Sequence, residues 1–164
     1  METSEFEAFV AARAGSLLRF GRLVASDQHA GEDLVQGALA GAFRARRGLD
    51  AGGVEAYVRR SIVNAQATRW RRLLRREHVT REPPDRPVGD PADGVDDRLW
   101  AVAVLRSLPP RQRAVLVLRY VYDLDEAAIA RELGVSSGTV KSQAARAMAS
   151  LRSQTARTDE ELAR

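Results

Sequence analysis

The stretch EAAIARELGVSSGTVKSQAA, residues 126–145, has the spacing of two short helices that cross at a steep angle. Such a crossing requires a small side chain between the helices and a turn that tolerates a left-handed backbone, and Ala130 and Gly134 meet these needs. Ser136 or Ser137 can accept a hydrogen bond from the free N–H groups that open the second helix. The apolar contacts between the helices are assigned to Ile129, Leu133, Val135 and Val140. The stretch therefore predicts a helix-turn-helix.

The second helix of this motif is predicted to present polar side chains on its outer face. They are Thr139, Lys141, Ser142, Gln143 and Arg146. Side chains of these types bond to the phosphates and base edges of DNA. The alternative is an ordinary helical hairpin in which the small residues serve only the crossing.

The composition of the 164-residue chain favours a helical protein. Hydrophobic residues make up 45% of it but aromatic residues only 5%, so Leu, Val and Ala must form most of the core. Such a core suits a helical bundle better than a sandwich of β-strands. Because the chain has no cysteine, it can form neither a disulfide framework nor a thiolate metal site.

No segment has the pattern of a membrane span. Arginine interrupts every apolar stretch before it reaches the roughly 18 residues that a span requires. The first residues, METSEFEAFVAARAG, lack the basic and apolar regions of a secretory signal. We therefore expect a cytoplasmic protein that does not insert into a membrane.

Charge is unevenly distributed along the chain. Residues 57–76 contain seven arginines and no acid, whereas residues 83–98 contain five aspartates against two arginines. A basic helix followed by an acidic loop indicates a polyanionic partner for the basic segment. The alternative is a solvated helix whose arginines only keep the protein in solution.

The first half of the chain is predicted to form three or four helices. Phe6, Phe9 and Leu17 fall near helical spacing in a first helix that ends near Gly21 or soon after. A turn is expected around residues 27–31, a second helix over 32–47, a glycine-containing loop over 48–55, and a third helix over about 54–77.

A linker is predicted at residues 81–97, which hold four of the six prolines together with glycine and clustered aspartate. After it, one helix must stop before Pro109 and Pro110, and another covers residues 111–121. The predicted fold is all-α, with two small helical domains, residues 1–80 and 98–152, joined by a flexible acidic linker. The polar tail, residues 153–164, is expected to fray.

No catalytic constellation is recognisable in the sequence. His29 and His78 lack a second ligand at a metal-binding spacing. A glycine-rich phosphate loop and a serine nucleophile elbow are both missing. We expect a protein that is not an enzyme and uses no cofactor, no metal and no small-molecule substrate.

Three strings together carry a resemblance to a known family. They are GEDLVQGALAGAFRA at residues 31–45, EAYVRRSIVNAQATRWRR at 55–72, and LRSLPPRQRAVLVLRYVYDLDEAAIARELGVSSGTVKSQAARAMASL at 105–151. In this order the chain resembles a sigma-70-type RNA polymerase sigma factor of the extracytoplasmic-function group, and is most similar to its actinobacterial sigma-E-like branch. The likeness covers about residues 6–152. A lone helix-turn-helix is a weak signal, but the order of the strings is specific.

The resemblance implies that the first domain is sigma region 2 and the second is sigma region 4. In this family the DLVQ helix docks on the coiled coil of the largest catalytic subunit of the polymerase. The resemblance thus makes Asp33, Gln36 and Arg44 core-polymerase-binding residues. Asp33 and Gln36 lie at i and i+3 of a helix, so they share a face.

The same resemblance assigns the arginine-rich helix to the −10 promoter element. Holding a melted strand requires a basic track for phosphates and platforms for unstacked bases. The −10 DNA-binding residues are predicted to be Arg59, Arg60, Asn64, Arg69, Trp70, Arg71 and Arg72. Asn64 and Trp70 also have simpler interpretations, as a backbone-bonding residue and a core residue. Residues 49–53 lie where this family captures a flipped base, but their sequence does not identify the capturing side chain.

The second domain is assigned to the −35 element, with a recognition helix from about residue 137 to 151. Its DNA-binding residues are predicted to be Ser137, Thr139, Lys141, Ser142, Gln143 and Arg146. The family often has arginine at position 143, so the glutamine leaves the base preference open. The acidic linker is expected to lie where nascent RNA later passes, with a simple tether as the alternative.

The implied partners are core RNA polymerase and promoter DNA. Members of this group are often held by an anti-sigma protein, which makes such a protein a candidate partner. Two other functions remain open at this point: a stand-alone helix-turn-helix transcription regulator and a helical protein that binds a partner other than DNA. The first would need a receiver or ligand domain, and the second leaves the arginine-rich helix unexplained.

Overall fold

The computed structural model of the protein describes residues 1–77 and 104–162, with side chains described in 1–75 and 104–154. The first half forms three helices: α1, Thr3–Ala25; α2, Gln28–Ala45; and α3, Ala51–Glu77, with a short 3-10 turn at Arg46–Gly48 between the last two. Asp27 caps α2, because its side chain accepts a hydrogen bond of 2.7 Å from the backbone N–H of Ala30.

The turn and loop predicted in the first half are shorter in the structure. Helix α1 continues past Gly21 to Ala25, and α2 begins at Gln28, so Gly31 lies inside a helix. The two glycines let α1 and α2 cross closely: a Cβ on Gly31 would lie 2.6 Å from Cα of Arg22. The predicted loop at 48–55 is also too long, since α3 begins at Ala51.

The described part of the second half begins at residue 104, and residues 104–106 are helical. Three helices follow: α4, Pro110–Tyr120; α5, Glu126–Leu133; and α6, Ser137–Leu162. Pro110 occupies the first turn of α4, where its missing N–H costs nothing. Helix α6 continues to Leu162, so most of the predicted tail is helical. No glycine or proline interrupts the chain after Gly138.

The two halves share one hydrophobic core. Phe20, Val24 and Val63 from the first half belong to the same buried cluster as Val115 and Ile129 from the second. A smaller cluster of Leu108, Leu116 and Ala147 lies within the second half. The prediction of two helical domains is confirmed, but the domains pack against each other rather than standing apart.

The linker at 81–97 and the start of the helix predicted before Pro109 lie outside the described residues, so their predictions have no structural outcome. Within residues 1–77 and 104–162, no helix has the length and apolar character needed to cross a membrane.

Candidate DNA-binding and polymerase-binding sites

Helices α5 and α6 form the predicted helix-turn-helix. Gly134 has a φ of 65°, the left-handed conformation expected at the turn, and the N–H of Val135 donates to the carbonyl of Ala130 at 3.0 Å. Ile129 and Val140 are fully buried between the helices. The sequence left two serines as candidates for the cap of α6, and the structure selects Ser136.

The cap of α6 is formed by the side chain of Ser136. Its hydroxyl accepts a hydrogen bond of 3.1 Å from the backbone N–H of Thr139 and lies 2.9 Å from the hydroxyl of Thr139. The hydroxyl of Ser142 donates to the carbonyl of Thr139 at 3.0 Å. These contacts fix the first turn of α6, where phosphates are bound in helix-turn-helix proteins.

The predicted −35 residues fall into two sets. Exposed side chains belong to Ser137, Lys141, Ser142 and Arg146. Thr139 and Gln143 are half-buried and line a cavity of about 220 Å³. The recognition face is therefore partly open and partly turned toward the first half.

Helix α2 presents the predicted polymerase-binding residues on one open face. The side chains of Asp33, Gln36 and Arg44 are all exposed, whereas Val35 and Ala42 on the other face are buried. The ring of Phe43 adjoins this open face, is 38% exposed, and lies 3.8 Å from the guanidinium carbon of Arg46. The face thus combines a carboxylate, an amide and a guanidinium with an accessible aromatic ring.

Helix α3 carries most of the predicted −10 residues at its surface. Exposed side chains belong to Arg60, Asn64, Arg69, Arg71 and Arg72, and Trp70 is half-buried. The guanidinium of Arg71 donates to the hydroxyl of Thr68 at 3.2 Å. These exposed arginines have the chemistry of a phosphate track.

Arg59 is the exception on α3, because its side chain is buried with only 6% of the residue exposed. Its guanidinium lies 2.6 Å from the carboxylate of Glu55 and 3.4 Å from that of Glu132 on α5. The guanidinium carbon also lies 4.8 Å from the centre of the Tyr122 ring. Arg59 thus lies between the two halves and away from the exposed track on which it was predicted.

A cavity brings the two predicted DNA-binding sites together. It is lined by Arg60 and Asn64 from α3 and by Thr139 and Gln143 from α6. Arg111, at the start of α4, also lines it and donates to the side-chain oxygen of Asn64 at 3.4 Å. Residues predicted for the −10 element and residues predicted for the −35 element therefore line the same cavity, whose volume is about 220 Å³.

Arg113 is a contact residue that the sequence did not reveal, although it lies in the stretch LPPRQR at residues 108–113. The guanidinium is buried and donates to the carbonyls of Leu105 at 2.7 Å, Arg106 at 3.0 Å and Leu108 at 2.8 Å. It also donates to the carbonyl of Val24, at the end of α1. Burial, with the nearby charge of Arg106, lowers the pKa of Arg113 to about 10. The stretch therefore contains the start of α4 and also the arginine that bonds the second half to the first.

Tyr122 and Glu132 are two further contact residues that the sequence did not reveal. The hydroxyl of Tyr122 donates to the carbonyl of Ser16 at 2.7 Å, and its ring meets that of Phe20 edge-on. Burial raises the pKa of Glu132; the charge of Glu55 also raises it, whereas Arg59 lowers it. These contacts join residues far apart in the chain, which no local pattern reports.

Comparison with known domains defines the class of the protein. Residues 9–76 match the model of sigma-70 region 2, and residues 98–151 match that of sigma-70 region 4. The first match spans α1 to α3, and the second includes α4, α5 and the helix-turn-helix. The chain thus has the two domains, in order, of a sigma-70-type factor.

Whole-chain relatives narrow this class. The RNA polymerase sigma-E factor of Streptomyces coelicolor is 37% identical over 152 residues, covering 92% of this chain and 86% of that protein. The ECF RNA polymerase sigma factor SigM of Mycobacterium tuberculosis is 36% identical over 138 residues, covering 82% of this chain and 69% of that protein. The chain belongs to the extracytoplasmic-function sigma factors of the sigma-70 family, in their actinobacterial sigma-E-like branch.

A solved structure has the same fold. The sigma factor RpoE from Bartonella quintana, crystallised with the anti-sigma factor NepR, superposes with a TM-score of 0.67 and covers 92% of this chain and 96% of its own. At 20% sequence identity the likeness concerns the fold alone. The predicted family, the all-α two-domain fold and the function as a sigma factor are confirmed. Sigma factors in general are not enzymes, which agrees with the non-enzymatic prediction.

Proposed function

We propose that the chain is a promoter-specificity subunit that uses three surfaces: the open face of α2 for core RNA polymerase, α3 for the −10 element, and the start of α6 for the −35 element. The observation that carries this proposal is the occurrence of regions 2 and 4, in that order, in one chain. The separate surfaces on α2, α3 and α6 supply chemistry that suits each partner. A factor with these partners works where the chromosome lies, in the cytoplasm.

The polymerase-binding surface consists of Asp33, Gln36 and Arg44. Their exposure on α2 supports this role, because a docking face must be free of contacts within the chain. Burial of Val35, Ala38 and Ala42 on the opposite face holds the helix against α1 and α3. The exposed part of the Phe43 ring adds an apolar anchor of the kind common at the centre of interfaces.

The −10 surface consists of the arginines of α3 with Asn64 and Trp70. Arg69, Arg71 and Arg72 are exposed near the end of the helix, which supports a track for the phosphates of one melted strand. Trp70 is half-buried, so only part of its ring is available for stacking on a base. Arg60 and Asn64 extend the surface toward the helix-turn-helix, whereas Arg59 joins it only if α5 moves away.

The −35 surface lies at the start of α6. Exposed Ser137 and Ser142, together with the free N–H groups of the first turn, suit phosphates. Exposed Lys141 and Arg146 suit guanine edges or phosphates. Gln143 has the amide geometry that pairs with adenine, so it sets the base preference if it reaches the major groove.

Transcription in vitro tests this function directly. Purified protein is mixed with core RNA polymerase and a library of promoter fragments, and the transcripts are sequenced. The proposal predicts a complex with core polymerase and transcripts that share two upstream elements. A protein that forms no complex and gives no defined transcript contradicts it. An anti-sigma protein, the remaining candidate partner, would be sought as a protein whose addition abolishes these transcripts.

A further inference from the structure

We propose that the cavity between α3, α4 and α6 binds a free nucleoside monophosphate, with adenine as the preferred base. The cavity has a volume of about 220 Å³ and is lined by side chains of both halves of the chain. The ligand site goes beyond the proposed function, since it concerns a free nucleotide rather than promoter DNA. Only its consequence for DNA binding rests on the assignment of α3 and α6 to the promoter elements.

The lining of the cavity carries positive charge without a compensating acid. Arg60 of α3 and Arg111 of α4 line it, and its lining includes neither aspartate nor glutamate. Within residues 1–75 and 104–154, neither arginine forms an ion pair with a carboxylate. Two like charges beside one cavity repel each other, and a bound anion offsets that repulsion. Because guanidinium groups bind phosphate in a bidentate manner, a phosphate group suits this part of the cavity.

Contacts within the chain hold both guanidinium groups at the cavity. Gly134 lacks a Cβ, and Arg60 occupies the adjacent space: a Cβ at that position would lie 2.8 Å from a terminal nitrogen of Arg60 and 3.2 Å from its Cδ. A terminal nitrogen of Arg111 donates to the side-chain oxygen of Asn64 at 3.4 Å. Side chains that are held in place before a ligand arrives lose less conformational entropy when it binds. The cavity is therefore partly preorganised for an anion.

Two amide side chains give the cavity a means of recognising a base. Asn64 of α3 and Gln143 of α6 both line it. The oxygen of Asn64 accepts from Arg111, which leaves the NH2 group of Asn64 as a donor. The side chain of Gln143 is half-buried and makes no hydrogen bond within the part of the chain that the structure describes. An amide offers a donor beside an acceptor, the pattern that pairs with N6 and N7 of adenine, whereas guanine presents two acceptors at this edge.

The cavity also has an apolar wall. Val63, Val115 and Val140 line it and are all buried, with exposed fractions of 4%, 1% and 0%. An apolar wall beside a few polar groups is the usual composition of a site for a small organic ligand. A bare phosphate ion would leave the valines without contact, whereas the ring of a base covers them. The volume of about 220 Å³ lies below the roughly 300 Å³ at which most ligand pockets begin, so the site suits one nucleotide rather than a dinucleotide.

A nucleotide within a DNA strand has the same chemistry, but the geometry favours the free molecule. A strand continues on both sides of each nucleotide, and Arg60 closes one side of the cavity by packing against the turn at Gly134. A bound nucleotide would occupy Arg60, Asn64 and Gln143, which are assigned to the two promoter elements. These side chains are then unavailable to promoter DNA, so the concentration of the free nucleotide regulates DNA binding.

Isothermal titration calorimetry on the full chain tests the site, with adenosine monophosphate (AMP) as the probe. We expect a dissociation constant of about 10 to 100 µM, the range of a small ligand held by a few charged and apolar contacts. Adenosine and inorganic phosphate should each bind at least about tenfold more weakly, because each keeps only part of the contacts. Guanosine monophosphate should also bind about tenfold more weakly, since guanine has no amino donor at the edge that Gln143 pairs with.

Arg111→Met tests the phosphate contact. Arg111 is exposed, so the substitution leaves the core intact, and the affinity for AMP should fall by about tenfold as one charged contact is lost. Arg119→Met makes the same change at another exposed position of α4 and should keep the affinity of the wild type. Gln143→Leu removes the amide at similar size and should bring the affinities for AMP and guanosine monophosphate together.

The proposal is overturned if AMP binds no more tightly than inorganic phosphate, if Arg111→Met and Arg119→Met bind AMP equally, or if a DNA single strand binds and no free nucleotide does. Transcription with core polymerase separates this result from a failure of the proposed function. Defined transcripts from a protein that does not bind AMP contradict the nucleotide site alone, whereas AMP binding without defined transcripts contradicts the promoter function alone. Where both hold, AMP should lower the transcript yield of the wild type more than that of Arg111→Met, and equal yields would contradict the regulation of DNA binding.

Discussion

The two functional faces of region 2 differ in their relation to region 4. The face of α2 is open, and its three predicted polymerase contacts are all exposed. The face of α3 is divided: Arg69, Arg71 and Arg72 are exposed, whereas Arg59 is buried and Arg60 packs against the turn of the helix-turn-helix. The difference shows that a helix face free of region 4 keeps its polar side chains available, whereas contact with region 4 occupies part of the arginine-rich helix.

The largest effect is expected at the joint between the halves. Arg113→Met keeps an apolar stem but leaves the carbonyls of Arg106, Leu108 and Val24 without the guanidinium that donates to them. We expect the free energy of unfolding to fall by about 3 kcal/mol, since several buried acceptors lose their partner. Urea denaturation followed by circular dichroism measures this change.

Arg119→Met is the control for Arg113→Met. It makes the same substitution at an exposed position of α4, so its unfolding free energy should stay within about 0.5 kcal/mol of the wild type. Equal stability of the two variants would show that the carbonyls bound by Arg113 find other donors. The hydrogen bonds of Arg113 would then contribute little to the contact between the two halves.

The next effect concerns the open face. Asp33→Ala with Gln36→Ala should weaken binding to core polymerase by roughly 100-fold, a loss typical of removing contacts at an interface centre. The free energy of unfolding should stay within about 0.5 kcal/mol of the wild type, because both side chains are exposed. Glu7→Ala, exposed on α1, is the control for surface truncation. If the double variant keeps its affinity for core polymerase, Asp33 and Gln36 of α2 do not belong to the docking surface.

A smaller effect is expected at the exposed end of α3. Arg71→Ala with Arg72→Ala should reduce the slope of log affinity against log salt for single-stranded DNA by about 1.4, because two phosphate contacts on a single strand are lost. Both arginines are exposed, so the strand can reach them without any rearrangement of the chain. Arg19→Ala with Arg119→Ala removes the same charge at exposed positions outside α3 and is the control. If both double variants reduce the slope equally, Arg71 and Arg72 do not form a specific phosphate track.

The smallest effect is a pH dependence of stability. The pKa of Glu132 is raised mainly by burial, and the groups that face it are Arg59 and Glu55 on α3 and Arg131 on its own helix. In the unfolded chain the carboxyl returns to its ordinary pKa. The folded form therefore binds the proton more tightly, so this group stabilises the fold at acidic pH and loses that contribution as the pH rises through the raised pKa.

Urea denaturation at pH 7 and at pH 5 checks this sign. From pH 7 to pH 5, the unfolding free energy of the wild type should gain relative to that of Glu132→Gln, in which the titrating carboxyl is gone. Glu32 has a lowered pKa beside Arg22, so its contribution acts in the opposite direction and is common to both proteins. The same pH dependence in the two proteins would show that Glu132 is solvated in solution.

Local features of the fold could be predicted from the sequence to the residue. Gly134 at the turn, Ala130 at the crossing and a serine cap on α6 follow from the conformational needs of a helix-turn-helix. The polar face of α2 follows from helical spacing, because the apolar residues of that helix repeat on one side only. Each of these predictions depends on residues a few positions apart.

Features that depend on distant contacts could not be predicted. Gly21 was predicted near a helix end and Gly31 in a turn. The sequence does not show that the backbones of α1 and α2 come into contact at these two glycines. Arg59 was predicted to belong to an exposed track. The carboxylate of Glu132, which contacts it from α5, lies 73 positions away in the chain. Arg113 could not be distinguished from the other arginines, because its acceptor, the carbonyl of Val24, lies in the first half of the chain.

The central claim is that one chain holds a polymerase-binding face on α2 and separate DNA-binding surfaces on α3 and α6. Binding to core RNA polymerase and transcription from a promoter library, compared for the wild type and the two double variants above, test it most directly. Asp33→Ala with Gln36→Ala is expected to lose polymerase binding, whereas Arg71→Ala with Arg72→Ala is expected to keep it and to give fewer transcripts. Loss of polymerase binding in both double variants, or unchanged transcription in both, would contradict it.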